Sequence, residues 1–487
     1  MNFISISYYA FLITTVIFYY IAPKKHQWYV LLMGSIFFYF RAVEYHGLTL
    51  CLFLLVIVIS YISALAIEWG NSVGNRSLGK IVLGCAVFAV VVPFFMVKTG
   101  FFLSVVSIVF HRSPGDIMIP LGISFFTMQM IAYLVDIYQG KIEAQKNFFK
   151  YSLFVSFFPQ IIQGPIPRYE QLGEQLWVGH KFEEKNFTQG LHLIIWGFFL
   201  KLMIADKAAV VVNTVFGQST MYKGTYVFVA GILYSIQLYA DFMACVTLAK
   251  GAAMLFGIQV TDNFRHPYFS GSIKEFWGRW HISLSSWLKD YIYIPLGGNR
   301  KGTLRKYLNL FITFSVSGIW HGWGFKYVAW GILHAVYQIV GEQTSYIREK
   351  VYVCFGFTEN GYEKRFIKRA VTFMLVMFAW IIFRADTLEE GGRMILSVFT
   401  VHNPWVLFND AIFSLGLSWK EWVVLLISLG VLLKVSLKQE QGSVSQWIIS
   451  QPLIVRWGIY IMAITVIFVY GTYGFSFDAQ DFIYGGF

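Results

Sequence analysis

The sequence predicts an all-α protein that crosses a membrane many times. Of its 487 residues, 57% are hydrophobic and only 13% are charged. A soluble domain carries about twice that share of charge, roughly 25%. Four stretches, 3–22, 48–67, 307–325 and 457–475, hold no Lys, Arg, Asp or Glu. Each is close to the roughly 20 residues a helix needs to cross hydrocarbon. The charges that remain fall mostly between the apolar runs, as loops between spans require.

The elements follow in chain order. Residues 3–22 read as a first membrane helix; no basic segment precedes them and no A-x-A-like site follows, unlike a cleaved leader. Lys24 and Lys25 come next. Basic residues collect on cytoplasmic loops, so the N-terminus is expected outside and the first loop inside. Apolar runs at 48–67 and 81–97 complete a simple N-terminal part, 1–110. The part from 111 to 365 is different, mixing Pro, Gly, Trp, His and charge with apolar runs. In "FFPQIIQGPIPRYEQL" (157–172), Pro159, Pro165 and Pro167 break any helix. Broken backbone at membrane depth must be satisfied by protein or by a watery cavity, so this part is expected to line a cavity. Runs at 188–200, 225–240 and 307–325 follow. Plain helices return over 366–487, at 370–383, 422–433 and 457–475. The whole is expected to form one integrated domain of about 10–13 embedded helices, some short or re-entrant, with no soluble domain.

The net charge is +12, from 38 basic and 26 acidic residues. In a membrane chain that excess reads as cytoplasmic loops rather than as a nucleic-acid surface. Cys51, Cys85, Cys245 and Cys354 are scattered, with neither zinc nor redox spacing.

The most polar segment is "FRHPYFSGSIKEFWGRWHISLSSWLKDYIYIPLGGNRKG" (264–302). It reads as an amphipathic helix at the cytoplasmic interface, leading through a Gly-Gly-Asn-Arg turn into a basic loop. Helical spacing would place Trp280 and Trp287 on one face and Trp277 and His281 on another. One reading is an aromatic belt with interfacial basic residues. The other is a basic mouth, where Arg279, Arg300 and Lys301 bind the phosphates of coenzyme A or a phosphopantetheine arm. His281 by itself reads as an imidazole bonded to backbone.

The run "SGIWHGWGFKYVAWGILHAVYQ" (317–338) places His321 among Gly318, Gly322 and Gly324. Glycine permits close backbone approach, so a thin ligand is expected to reach the ring. Ionisable groups inside a membrane usually face a cavity and are functional candidates. Neutral imidazole is available as a base at neutral pH. His334 lies thirteen positions on; on one continuous helix it would be about 220° away, so no two-histidine metal site is expected. His334 is expected to be structural, bonding a backbone carbonyl or a Tyr. P-loop, G-x-G-x-x-G, G-x-S-x-G and H-E-x-x-H patterns are absent. The residues suggest a base in a tunnel.

"EFWGRWHISLSSWLKDYIYIPLGGNRKG" (275–302) and "GIWHGWGFKYVAWGILHA" (318–335) together resemble the membrane-bound O-acyltransferase family. "FFPQIIQGPIPRYEQL" and "SIQLYADF" (235–242) are similar to its bacterial polysaccharide branch, whose members acetylate alginate or pass D-alanine to teichoic acids. The resemblance covers roughly 115–385. It implies a helical bundle around a central tunnel, with His321 as the essential histidine and His281 as the second histidine of the reaction chamber. Trp280, Trp320, Gly322 and Asp241 would line the tunnel. After "YADF" the branch continues with Ser-Gly and a Ser-Asp pair, where this chain has Met243, Ala244, Cys245, Val246 and Thr247.

The expected function is therefore acyl transfer in the inner or plasma membrane. An acyl group, acetyl first, would pass from a cytosolic thioester to a hydroxyl of a secreted polysaccharide or of an extracytoplasmic partner enzyme. The donor would be acetyl-CoA or an acyl-phosphopantetheine carrier protein, with no cofactor and no metal bound. One alternative is D-alanyl or other acyl transfer from a carrier protein to a cell-wall polymer. Another is a polysaccharide transporter without catalysis, although the paired, broken segments such a protein needs are not seen.

Overall fold

The computed structural model describes residues 3–101, 104, 120–359 and 361–473. Among them every regular element is helical. Five helices are long and apolar enough to cross a membrane: Gly47–Ser72, Arg76–Lys98, Thr225–Met254, Tyr362–Arg384 and Leu453–Tyr470. Ile6–Ile21 and Ile123–Tyr138 are shorter apolar helices. The charge-free stretches of the sequence thus become helices, and the all-α polytopic membrane class stands. The run at 307–325 forms Thr303–His321 and stops four residues early. The run at 457–475 forms Leu453–Tyr470, its last two positions lying outside the described residues. So does the boundary expected at 110.

The chain gathers into two compact units. Among the described residues, one comprises 3–194 and 245–262, and the other 195–244 and 263–473. In the first, Gly47–Ser72 and Arg76–Lys98 form a hairpin through a turn at Gly74, and Asn75 caps the second helix by accepting Leu78 N–H at 3.0 Å. The proline-rich stretch breaks the chain as expected. The helix Phe148–Ser156 stops before Pro159, and residues 157–161 and 163–166 are buried. Protein satisfies this backbone: Gln129 donates to Phe154 O at 2.7 Å, and Phe158 N–H donates to Ser35 Oγ at 3.1 Å. The expected cavity lining is here packed protein instead, because side chains replace the missing helical partners.

The second unit holds every residue of the candidate site. Its tightest pair is the hairpin of Thr303–His321 and Phe325–Gln343. A methyl group on Gly318 would fall inside contact distance of the Tyr327 carbonyl oxygen, and one on Gly331 inside that of Phe314. Small residues at both crossings let the backbones touch. Lys306 pairs with Glu342 at the far end. Tyr362–Arg384 brings Trp380, fully buried, into the same core.

Candidate active site

The single helix expected through Trp277, Trp280, His281 and Trp287 is two short helices. Ile273–Arg279 begins at Ser272, whose hydroxyl accepts Glu275 N–H at 3.1 Å. Ile282–Leu288 begins after His281, which sits at φ 45°, ψ 54°. A left-handed conformation costs a non-glycine residue roughly 1–2 kcal/mol. The surroundings hold it there. Asn263 accepts Ile282 N–H through its carbonyl at 2.9 Å and Ser283 N–H through Oδ1 at 3.0 Å. Arg265 N–H donates to Arg279 O at 3.0 Å. The corner turns the chain between Trp280 and His281, so the helical faces assigned from spacing do not exist across it. Periodicity could not reveal a break specified by a distant Asn side chain.

His321 is the last residue of its helix, and Gly322 closes the helix by donating to Gly318 O at 3.3 Å. His321 and His334 therefore lie on different helices, not on the continuous one assumed from their spacing. One indole joins the two candidate imidazoles: Trp320 lies edge-on to His281, with centroids 5.9 Å apart, and to His321 at 4.8 Å. Phe242 covers His281 at 4.7 Å, while Trp330 and Phe383 flank His321 at 5.2 and 5.5 Å.

His281 is 0% and His321 3% exposed. The passage implied by the resemblance is thus closed at these rings. The glycines beside His321 admit protein rather than a ligand: the Tyr327 ring occupies the place of a Gly322 side chain. Tyr327 is half-buried, and the next positions outward, Trp323 and Gly324, are exposed.

The other residues singled out from sequence fall as follows. Trp320 is buried between the imidazoles. Trp280 is buried in an aromatic core, 5.4 Å from Phe276, 5.1 Å from Phe264 and 5.2 Å from Trp380. Asp241 bonds Lys201 at 2.8 Å, and Lys201 also reaches Asp206 at 3.0 Å, all three side chains being at most 4% exposed. Arg279 is engaged by Glu275 at 2.9 Å and Glu440 at 3.3 Å. Arg300 and Lys301 are exposed on the turn before Thr303–His321. His334 is buried and accepts the Trp277 indole N–H at Nδ1, 3.2 Å away, rather than bonding a carbonyl or a Tyr. No group of three His, Cys, Asp or Glu able to hold a metal occurs among the described residues.

Sequence reasoning missed Lys201, the lone formal charge in the run 193–205; a charge at that depth was the available signal. It also missed Phe242, Trp330 and Phe383, which carry no signal beyond being aromatic.

Residues 142–383 match the model of the membrane-bound O-acyltransferase family. The chain is 37% identical to a probable alginate O-acetylase of Pseudomonas putida over 284 residues, 58% of this chain and 56% of that protein. It therefore spans little more than half the length of that relative. It is 34% identical to a peptidoglycan O-acetyltransferase of Helicobacter pylori, over 75% of this chain and 72% of the relative. It is 29% identical to a teichoic acid D-alanyltransferase of Bacillus subtilis, over 60% of this chain and 75% of the relative.

Proposed function

The chain belongs to the membrane-bound O-acyltransferase family, and from that premise we propose that it moves an acyl group, acetyl first, from a thioester to the hydroxyl of a cell-surface polysaccharide or of an extracytoplasmic partner enzyme. The observation that carries the reading is the Trp320 indole held edge-on to both His281 and His321. It packs two imidazoles into one small aromatic cluster.

In this reading His321 is the general base. The acceptor O–H gives its proton to an His321 ring nitrogen as the oxygen attacks the thioester carbonyl carbon. His281 donates a hydrogen bond to the oxyanion that forms. The C–S bond then breaks, the imidazolium returns its proton to sulfur, and the acyl ester departs with the acceptor. The positive charge that develops on His321 lies at the end of a helix, where the backbone dipole favours it by about 0.3–1 kcal/mol. General-base assistance contributes roughly 10²–10⁴ in rate. The surrounding rings exclude water that would hydrolyse the thioester. Because both imidazoles are covered, substrates enter by parting side chains, and Tyr327 over Gly322 is the half-exposed ring beside His321. The donor, acetyl-CoA or an acyl-phosphopantetheine carrier, arrives from the cytosolic side of the inner or plasma membrane.

His321→Ala should insert in the membrane at normal levels and lower surface esters at least 100-fold, as measured by mass analysis of cell-surface glycans. Full acylation by this variant removes the base role. The Bacillus subtilis relative favours a second reading, D-alanyl transfer from a carrier protein. Mild base treatment of surface polymers separates the two: released acetate supports the first and released D-alanine the second.

A further inference from the structure

Of the histidines His281, His321 and His334, the last has no part in the acyl transfer just described. Its ring is fully buried and far from idle. Trp277 Nε1 donates to its Nδ1 at 3.2 Å, and Trp330, one turn earlier on the same helix, packs against it at 5.0 Å. Trp277 packs on Trp330 as well, at 5.8 Å, and Trp330 in turn flanks His321 at 5.2 Å.

The helix that carries Trp277 leads directly into the His281 corner. Ile273–Arg279 has seven residues. A helix of two turns is unstable by itself, so its placement depends on tertiary anchors. The corner itself is strained; Asn263 holds its far side, through Ile282 and Ser283, and the bond from Arg265 N–H to Arg279 O holds its near side. The near-side bond reaches only the last residue of the short helix, whose body needs an anchor of its own. Trp277 stands four residues before His281, and the directional bond from its side chain is to His334, on the helix Phe325–Gln343.

We infer that His334 is a positioning residue for His281: by accepting the Trp277 indole N–H at Nδ1, it fixes the short helix whose end sets the His281 corner. An indole N–H can only donate. Nδ1 must therefore carry the lone pair and Nε2 the proton, and the imidazole stays neutral while the bond stands. His334 does not touch the substrate. The same helix also carries Trp330, so one residue turn couples the wall beside His321 to the anchor of His281.

This inference rests on the acyl-transfer reading for its activity test but not for its structural one. Asn places Oδ1 where His places Nδ1; Gln places its oxygen one bond farther out; Phe keeps the ring and loses the acceptor. In the purified full chain, with thioester consumption as the assay, His334→Asn should retain turnover within about threefold. His334→Gln, His334→Phe and Trp277→Phe should each lose about tenfold or more in kcat with little change in the donor KM, and combining Trp277→Phe with His334→Phe should cost no more than either alone. An Asn variant as impaired as the Phe variant, or an undiminished Trp277→Phe, overturns the inference. Independently of turnover, ¹⁵N-histidine NMR of the unsubstituted protein should find His334 protonated at Nε2 alone; a proton on Nδ1 overturns it even if no variant folds. Should His321→Ala acylate normally while these NMR signals are as expected, the acyl-transfer reading falls and the Trp277–His334 anchor survives.

Discussion

His321 ends a helix and His281 occupies a left-handed corner, and each position has a physical consequence for a reacting group. The helix end favours positive charge, which a base acquires. The corner aims a ring without the slack of a helical face, because its backbone is held on both sides. Lys201 is the other residue whose setting is demanding. It joins Asp206 and Asp241 with all three side chains almost fully buried. Removing one partner leaves buried charge without compensation, which costs about 3–5 kcal/mol. Lys201→Met should lower the thermal midpoint of the detergent-purified protein markedly, and adding Asp206→Asn and Asp241→Asn should restore part of the loss. An unchanged midpoint for Lys201→Met would show that the cluster contributes little. His321 was legible in the sequence because an imidazole among glycines and tryptophans is rare in an apolar run. Lys201 was equally conspicuous, but its partners were not: they stand 5 and 40 positions away, and no pattern joins them.

At the scale of elements, the hairpin of Thr303–His321 and Phe325–Gln343 shows what the glycines are for. Gly318 and Gly331 sit where the two backbones meet, whereas Gly341, on the second helix, has nothing within 4 Å of an added methyl. Gly318→Ala should therefore destabilise by about 1–3 kcal/mol through overpacking. Gly341→Ala should be neutral or stabilise by up to about 1 kcal/mol, since alanine is the better helix former. Urea or heat unfolding in detergent checks both; equal responses would mean the hairpin is looser than its geometry. The glycines were read from sequence as room for a ligand. The structure gives that room to Tyr327 and to the neighbouring backbone, because helix association in a membrane gains most from close contact at small residues. The break at Trp280–His281 was illegible for a related reason: the left-handed residue is a histidine, neither Pro nor Gly, and a distant Asn side chain holds it.

For the whole molecule, the apolar helices and the distribution of basic residues make one topological prediction. Arg348, Lys350, Lys364, Arg365, Lys368 and Arg369 flank the exposed Cys354. Such clusters stay on the cytoplasmic side. In a variant that keeps Cys354 and lacks Cys51 and Cys85, a membrane-impermeant maleimide should label the protein only after cells are permeabilised. Labelling in intact cells would reverse the assigned orientation.

The sequence by itself determined that this chain is helical, lies in a membrane, and carries two histidine motifs of one family. Those properties follow from composition and from short, local patterns, and both survive any arrangement of the helices. Only the tertiary structure decided that Trp320 joins the two imidazoles, that a left-handed corner breaks the expected helix, that Tyr327 fills the space beside Gly322, and that Trp277 selects His334. Each of these depends on residues distant in the chain meeting at one point, where packing and a few directional hydrogen bonds outweigh local preference.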